Sequence, residues 1–104
     1  MHARIVSILY EPHNLDELVD LYRDSIVPTA KQLKGFKGAT LLIDLQCRKG
    51  MSITLWETES DMLAGEASGY YQAQVAKIAD LLNGHPVESH YSIAFHTEAL
   101  FDQA

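Results

Sequence analysis

The stretch 38–57, GATLLIDLQCRKGMSITLWE, decides the fold. Two runs of β-branched and apolar residues, 38–46 and 51–57, flank the short link Cys47-Arg48-Lys49-Gly50. That pattern reads as a β-hairpin with glycine at the turn. Upstream, residues 3–10 (ARIVSILY) read as a buried strand. Between this strand and the hairpin, Leu15, Leu18, Val19, Tyr22 and Ile26 recur at helical spacing. Asn14 with Glu17 three residues on has the layout of a capping box. Pro28 falls inside the apolar stripe, which predicts a kink or break near Ser25–Val27, and Gly35 closes the helix.

Downstream of the hairpin, Ser60 and Asp61 suit a helix start, and Met62, Leu63 and Ala67 begin an apolar face. Ser68-Gly69 interrupts that face before Tyr71, Val75, Ile78, Ala79 and Leu82 resume it. Asn83-Gly84 with Pro86 beyond is a stop signal. Residues 87–96 alternate, with Val87, Tyr91, Ile93 and Phe95 on one face, and predict the last strand. The segment from Thr97 onward carries no assignment. The order is β-α-β-β-α-β, an α+β, ferredoxin-like arrangement with a four-stranded antiparallel sheet and both helices on one face. The 104 residues are expected to form one domain, 1–104.

The strands are apolar on both faces. Ile5 and Leu9 oppose Val6, Ile8 and Tyr10; Leu41, Ile43 and Leu45 oppose Leu42; Ile53 and Leu55 oppose Trp56. Two helices cover one face of a sheet, and an exposed second face would exceed the apolar patch that monomers tolerate. The expected partner is a second copy, packed sheet to sheet about a two-fold axis.

Fourteen acidic against eight basic residues give a formal charge of -6, which disfavours nucleic acid as a partner. The GxxG at Gly35–Gly38 joins a helix to a strand, whereas the RNA-binding loop of that pattern joins two helices. MSITLWE lacks the basic and aromatic residues of an RNA-reading third strand. No stretch approaches the ~20 apolar residues of a membrane span. No leader is expected from MHARIVSILYEPH, so the cytoplasm is the expected address. Cys47 is the single cysteine, which excludes an internal disulfide.

His90 and His96 share a strand face but stand about 20 Å apart at the strand rise, too far to share an ion. With no tight His/Asp/Glu cluster in the sequence, no metal is expected. His90 is the candidate acid–base group, against the plainer reading of a hydrogen-bonded strand histidine. Tyr10, Tyr22, Trp56, Tyr70, Tyr71 and Tyr91 are the remaining signal. Buried tyrosine and tryptophan pair apolar bulk with a polar tip, which suits a pocket for a flat aromatic ligand as well as an ordinary core. The Ser68-Gly69 break beside two tyrosines places the expected pocket between helices and sheet, with the break at its mouth.

The segment from Gly35 to about Leu82 resembles the antibiotic biosynthesis monooxygenase family. The likeness lies in Gly35-Phe36-Lys37-Gly38, Leu42-Ile43-Asp44, the Gly50 turn, and Thr54-Leu55-Trp56-Glu57-Thr58 leading into Ser60-Asp61. The resemblance implies dimeric α/β barrels with a pocket between sheet and helices in each subunit. Gly65 and Val75 stand where the haem-degrading branch carries its Trp and axial His, so haem degradation is not expected. The quinone-forming branch oxidises phenols with O₂ and no cofactor. It needs a dry aromatic pocket, a group to take the phenol proton and a donor to hold the anion. Trp56 matches the family's strand Trp, and Ser52, Met62 and Ala76 stand at the places of its other polar pocket residues. The candidate catalytic residues are therefore His90, Tyr70 and Tyr71, with Trp56, Tyr10 and Tyr22 as substrate-binding residues. The same dimer holding an aromatic ligand without turnover is the second function class.

Overall fold

Residues 1–98 are described by a computed structural model. Strands β1 (His2–Leu9), β2 (Phe36–Asp44), β3 (Lys49–Trp56) and β4 (Val87–Ser92) form one sheet in the order β2-β3-β1-β4. All three pairings are antiparallel. The helical layer comprises α1 (Leu15–Leu21), α2 (Val27–Ala30), α3 (Glu59–Ala67) and α4 (Tyr70–Ile78). This is the expected ferredoxin-like α+β arrangement, and no helix among the described residues is long and apolar enough to cross a membrane.

The register sorts the strand residues into rows. On the helix-covered face, one end row is Ser92–His2–Trp56–Phe36 and the other is Ile8–Gly50–Ile43. Between them run His90–Arg4–Thr54–Ala39 and Glu88–Val6–Ser52–Leu41. The end rows carry the core. Ile8 packs with Tyr10, Leu18 and Leu81. At the opposite end Trp56 is fully buried, and Phe36 meets it edge-on with ring centroids 5.4 Å apart. The middle rows mix polar and small residues with Val6 and Leu41 and carry no aromatic ring, and the helical layer closes over them less completely.

Among the described residues no helix lies over the other face. Its rows, Tyr91–Ala3–Leu55–Gly38, Ser89–Ile5–Ile53–Thr40 and Val87–Ser7–Met51–Leu42, hold the apolar residues foreseen there. Leu9, Leu42, Met51, Val87 and Tyr91 are all exposed.

Several local expectations need correction. Asn14 makes no cap hydrogen bond to α1; its side-chain amide donates to the Leu81 carbonyl at 3.5 Å instead. A 3₁₀ turn, Pro12–Asn14, already leads the chain into α1, so no capping box forms. Thr58, not Ser60, caps α3, its hydroxyl accepting from the Asp61 amide at 3.0 Å. Gly50 is not the turn residue. It lies inside β3, where a Cβ would stand 2.9 Å from Cγ1 of Ile8. The left-handed turn position is Arg48, and Asp44 holds the link by accepting the Gln46 and Cys47 amides at 3.0 Å each. β4 ends at Ser92, leaving Phe95 exposed.

The disruption near Pro28 takes the form of a π-helical turn, Tyr22–Ile26, ahead of α2. Proline's missing N–H removes a donor from the regular ladder, and the Thr29 hydroxyl donates to the Ser25 carbonyl at 2.9 Å. The Ser68-Gly69 break is also present. Gly69 has φ +88°, and its carbonyl accepts the Ala73 amide at 3.0 Å, so the chain turns and restarts as α4. A Cβ at Gly69 would meet nothing within 4 Å, so only the backbone resists one. Gly69→Ala should therefore strain the joint rather than stiffen it. It should lower stability by about 1 kcal/mol through the left-handed conformation. Urea unfolding measures this, and an unchanged or higher midpoint would contradict the left-handed requirement.

Candidate functional site

A cavity of about 70 Å³ lies over the two middle rows, between the sheet and the helical layer. Arg4, Val6, Ser52 and Thr54 form its floor, Tyr22 and Ile26 of the π turn form one wall, and Tyr70, Tyr71 and Gln74 of α4 form the other. The register explains the floor: these strand positions alternate inward from the two central strands. The π turn explains the first wall, because widening the helix there carries Tyr22 and Ile26 over the sheet. The Gly69 joint sets the direction of α4 and with it the second wall.

Of the residues singled out from sequence, Tyr22, Tyr70 and Tyr71 meet in this cavity. The Tyr22 hydroxyl is 2.9 Å from Oγ of Ser52 and donates to the Thr40 carbonyl at 3.4 Å. The Tyr70 hydroxyl donates to the Ile26 carbonyl at 3.5 Å, tying α4 to the π turn. Trp56 sits in one end row, Tyr10 packs against Ile8 of the other, and neither lines the cavity. Trp56 donates from Nε1 to the Thr54 hydroxyl at 3.0 Å, and Tyr10 donates to the Asp44 carbonyl at 3.3 Å. Tyr91 lies on the open face.

His90 stands beside the cavity, at the end of the Arg4 row. Its Nε2 is 3.1 Å from Oε2 of Glu66 and 3.5 Å from Oε2 of Glu88. The absence of a His/Asp/Glu cluster, read from spacing, is thus corrected. Helix α3 delivers Glu66 to the strand pair Glu88 and His90, and their ligand atoms lie within 4.8 Å of one another. Arg4 already compensates this cluster. Its guanidinium is 2.7 Å from Glu66 and 3.3 Å from Glu88, and it donates to the Met62 carbonyl at 3.1 Å.

Arg4 is the principal residue missed by reading the sequence. Only 3% of it is exposed, and it stacks over the rings of Tyr71 and Trp56 at 5.2 and 5.5 Å. The signal was available: in ARIVSILY, strand alternation puts Arg4 on the same face as Val6 and Ile8. Gln74 was missed too. It lies four residues from both Tyr70 and Ile78, inside the apolar stripe of α4. Gln74 is 7% exposed and its Oε1 is buried without a partner, an arrangement that costs about 1–3 kcal/mol when nothing fills it.

Burial raises the hydroxyls of Tyr22, Tyr70 and Tyr71, Tyr70 to about 12. All three are therefore O–H donors at neutral pH rather than bases. A raised folded-state value means the unfolded chain releases these protons first, so stability is fully present below about pH 10 and falls as pH climbs towards 12. Urea midpoints taken from pH 8 to 11.5 should decline above pH 10, less steeply in Tyr70→Phe. Equal slopes would contradict the burial of this hydroxyl.

The same fold occurs in solved structures. A monooxygenase from the gene ActVA-Orf6 of Streptomyces coelicolor, in complex with the ligand Nanaomycin D, matches with TM-score 0.78 and 17% identity, covering 94% of this chain and 91% of that one. The NE2512 protein of unknown function from Nitrosomonas europaea matches with TM-score 0.75 and 18% identity, covering 94% and 93%. A structure described as an antibiotic biosynthesis monooxygenase matches with TM-score 0.71 and 17% identity, covering 90% and 99%. No family model and no curated protein matches the sequence. The chain has the fold of the antibiotic biosynthesis monooxygenase structures.

Proposed function

We propose that the chain is a cofactor-independent, cytoplasmic monooxygenase that oxidises a small phenol or hydroquinone with O₂. The observation carrying this reading is the mostly apolar cavity into which three protonated tyrosines and a buried arginine converge. For a phenol the balance is phenol plus O₂ giving quinone plus water. One oxygen atom enters the ring, the other leaves as water, and the substrate supplies the four electrons. Removing the phenolic proton first makes the ring electron-rich enough to reduce O₂, and a dry site strengthens every dipole aimed at the anion. Tyr22 and Tyr70 supply O–H donors once an entering ring has displaced their bonds to the Thr40 and Ile26 carbonyls, Arg4 supplies the adjacent positive charge, and the proton leaves towards His90 and its carboxylates. Trp56 and Tyr10 act as the packed ends that hold the floor between them.

A specific observation favours the second reading, a binding protein that holds an aromatic ligand without turnover. Glu66 and Glu88 both lie within ion-pair distance of Arg4, which leaves little of its charge for a substrate anion. Oxygen uptake with a panel of naphthols and naphthohydroquinones separates the two. The enzyme should raise uptake about 10²-fold over buffer, with one O₂ consumed per quinone formed from a naphthol. No uptake, together with a ligand-induced rise in melting temperature, selects the binding protein.

In either case the working unit we propose is a homodimer joined through the open sheet face. The rows around Ile5, Ile53, Met51 and Leu42 carry the apolar side chains of this face, with Ser7 and Thr40 among them, and a wider depression of about 560 Å³ opens beside Leu42, Met51 and Val87. Light scattering at micromolar concentration should give about twice the 11.6 kDa chain mass. Ile5→Lys, which buries an unpaired charge in the middle row, should cost the dimer about 3 kcal/mol or more and return the single-chain mass. A wild-type monomer would end this proposal.

A further inference from the structure

We infer that Gln74 selects the ligand, by hydrogen-bonding a hydroxyl group on an aromatic molecule held in the cavity. The inference rests on the aromatic-ligand reading of that cavity and adds the chemistry by which it recognises its occupant.

Most polar groups of the cavity wall are already matched. Tyr22 is bonded to Ser52, Tyr70 to the Ile26 carbonyl, and Arg4 to Glu66 and the Met62 carbonyl. Gln74 is different. It is 93% buried, it lines the cavity, and among the described residues its Oε1 is the buried side-chain polar atom without a partner. Nine in ten or more buried polar groups in folded proteins find a partner, so an orphan here calls for one from outside the chain. Packing does not explain it. The position falls within an apolar stripe, four residues from Tyr70 and from Ile78, where leucine or methionine would fill the same space with no unmet hydrogen bond.

The side chain fixes the class of ligand. A glutamine amide presents an acceptor oxygen and a donor nitrogen, and the two ends exchange by a half-turn. A hydroxyl matches either end, donating to oxygen or accepting from nitrogen; a carboxylate matches only one. The surrounding wall is tyrosine rings and aliphatic side chains, which accept a flat apolar body. Size sets a further condition. The cavity, about 70 Å³ as it stands, is about half the 150 Å³ that holds a benzene ring in an apolar core. Entry of a ring therefore requires α4 and the π turn to part. Two side-chain hydrogen bonds join these walls, Tyr70 to Ile26 and Lys77 to Ser25 at 2.8 Å, beside the apolar packing of Ile78 against the core.

The test compares 1-naphthol with 1-methylnaphthalene, which replaces the hydroxyl by a methyl of similar size, using equilibrium dialysis. Wild-type protein should bind 1-naphthol at least about tenfold more tightly, because a site built for a hydroxyl rejects an analogue that lacks it. Gln74→Leu should bring the ratio to about one or invert it, with no fall in the melting temperature of the ligand-free protein. Gln74→Met, which keeps an unbranched side chain, should do the same and covers the case in which leucine does not fold. Equal binding of both compounds by wild type overturns the role of Gln74 and leaves the cavity an aromatic site. An undiminished preference in both variants likewise overturns it. Failure of wild type to bind either compound overturns the inference together with the aromatic reading. A preference that depends on Gln74, found without oxygen uptake, upholds the inference and removes the monooxygenase reading alone.

Discussion

A guanidinium on the inner face of a central strand constrains much of what surrounds it. An ion taken out of water is tolerated only when paired and hydrogen-bonded, and Arg4 is 3% exposed. Its partners come from four elements distant in sequence: Glu66 and the Met62 carbonyl from α3, Glu88 from β4, and the faces of Trp56 and Tyr71 from β3 and α4. Each contact fixes one element against the sheet. The last turn of α3 has to stop over β1 for Glu66 to reach, and the joint at Gly69 has to follow at once for Tyr71 to fall beneath the same guanidinium. The cluster is therefore structural before it is anything else. Whatever chemistry the cavity performs uses a charge that the fold already needs.

The cavity follows from a mismatch in the floor. The end rows of the covered face present Trp56 and Phe36 on one side and Ile8 and Ile43 on the other, large enough to hold the helices away from the sheet. The middle rows present Ala39, Ser52, Thr54 and Val6, which are too short to fill the gap. Close packing to interior density would normally remove such a space. Here the rings of Tyr22, Tyr70 and Tyr71 lean into it from above, and the π turn and the Gly69 joint prevent the helices from settling lower.

Much of the architecture was legible, because it depends on period and order. Apolar, β-branched runs in the first three strands, alternation in the last, the 3.6-residue stripe of the helices and the glycines at 35, 69 and 84 fix element types and sequence. Two-sided strands such as 38–46 also disclosed the open apolar face. What the sequence obscured were competitions between local partners. Asn14 could cap α1 or reach Leu81, and tertiary contact prevailed. Gly50 could serve the turn or allow Ile8 to approach, and a residue without Cβ is equally suited to both. The candidate site was half legible. Tyrosines announce a pocket by type, whereas Arg4 and Gln74 announce it only by standing on an apolar face. That signal needs the register to be known first, and an argument built on residue type passes over it. His90 was visible as a titratable group, but its tie to Glu66 joins residues 24 apart through the fold and has no local trace.

The features that keep the helices high also leave them separable. A continuous α-helix from Leu15 to Ala30 would carry its full ladder of backbone hydrogen bonds, and moving any part of it would mean moving the whole. With the π turn and Pro28, the segment over the cavity is already interrupted, and its side-chain hydrogen bonds to α4 are those at 2.8 and 3.5 Å. The packed ends differ. Tyr10 and Leu18 at one end, and Trp56 and Met62 at the other, are each less than 2% exposed. Opening at either end would expose large, fully buried side chains, at about 25 cal/mol per Å², whereas parting the middle breaks two exchangeable hydrogen bonds and separates the only partly buried Val27, Val75 and Ile78. The least costly distortion of this molecule is therefore the one that widens its cavity.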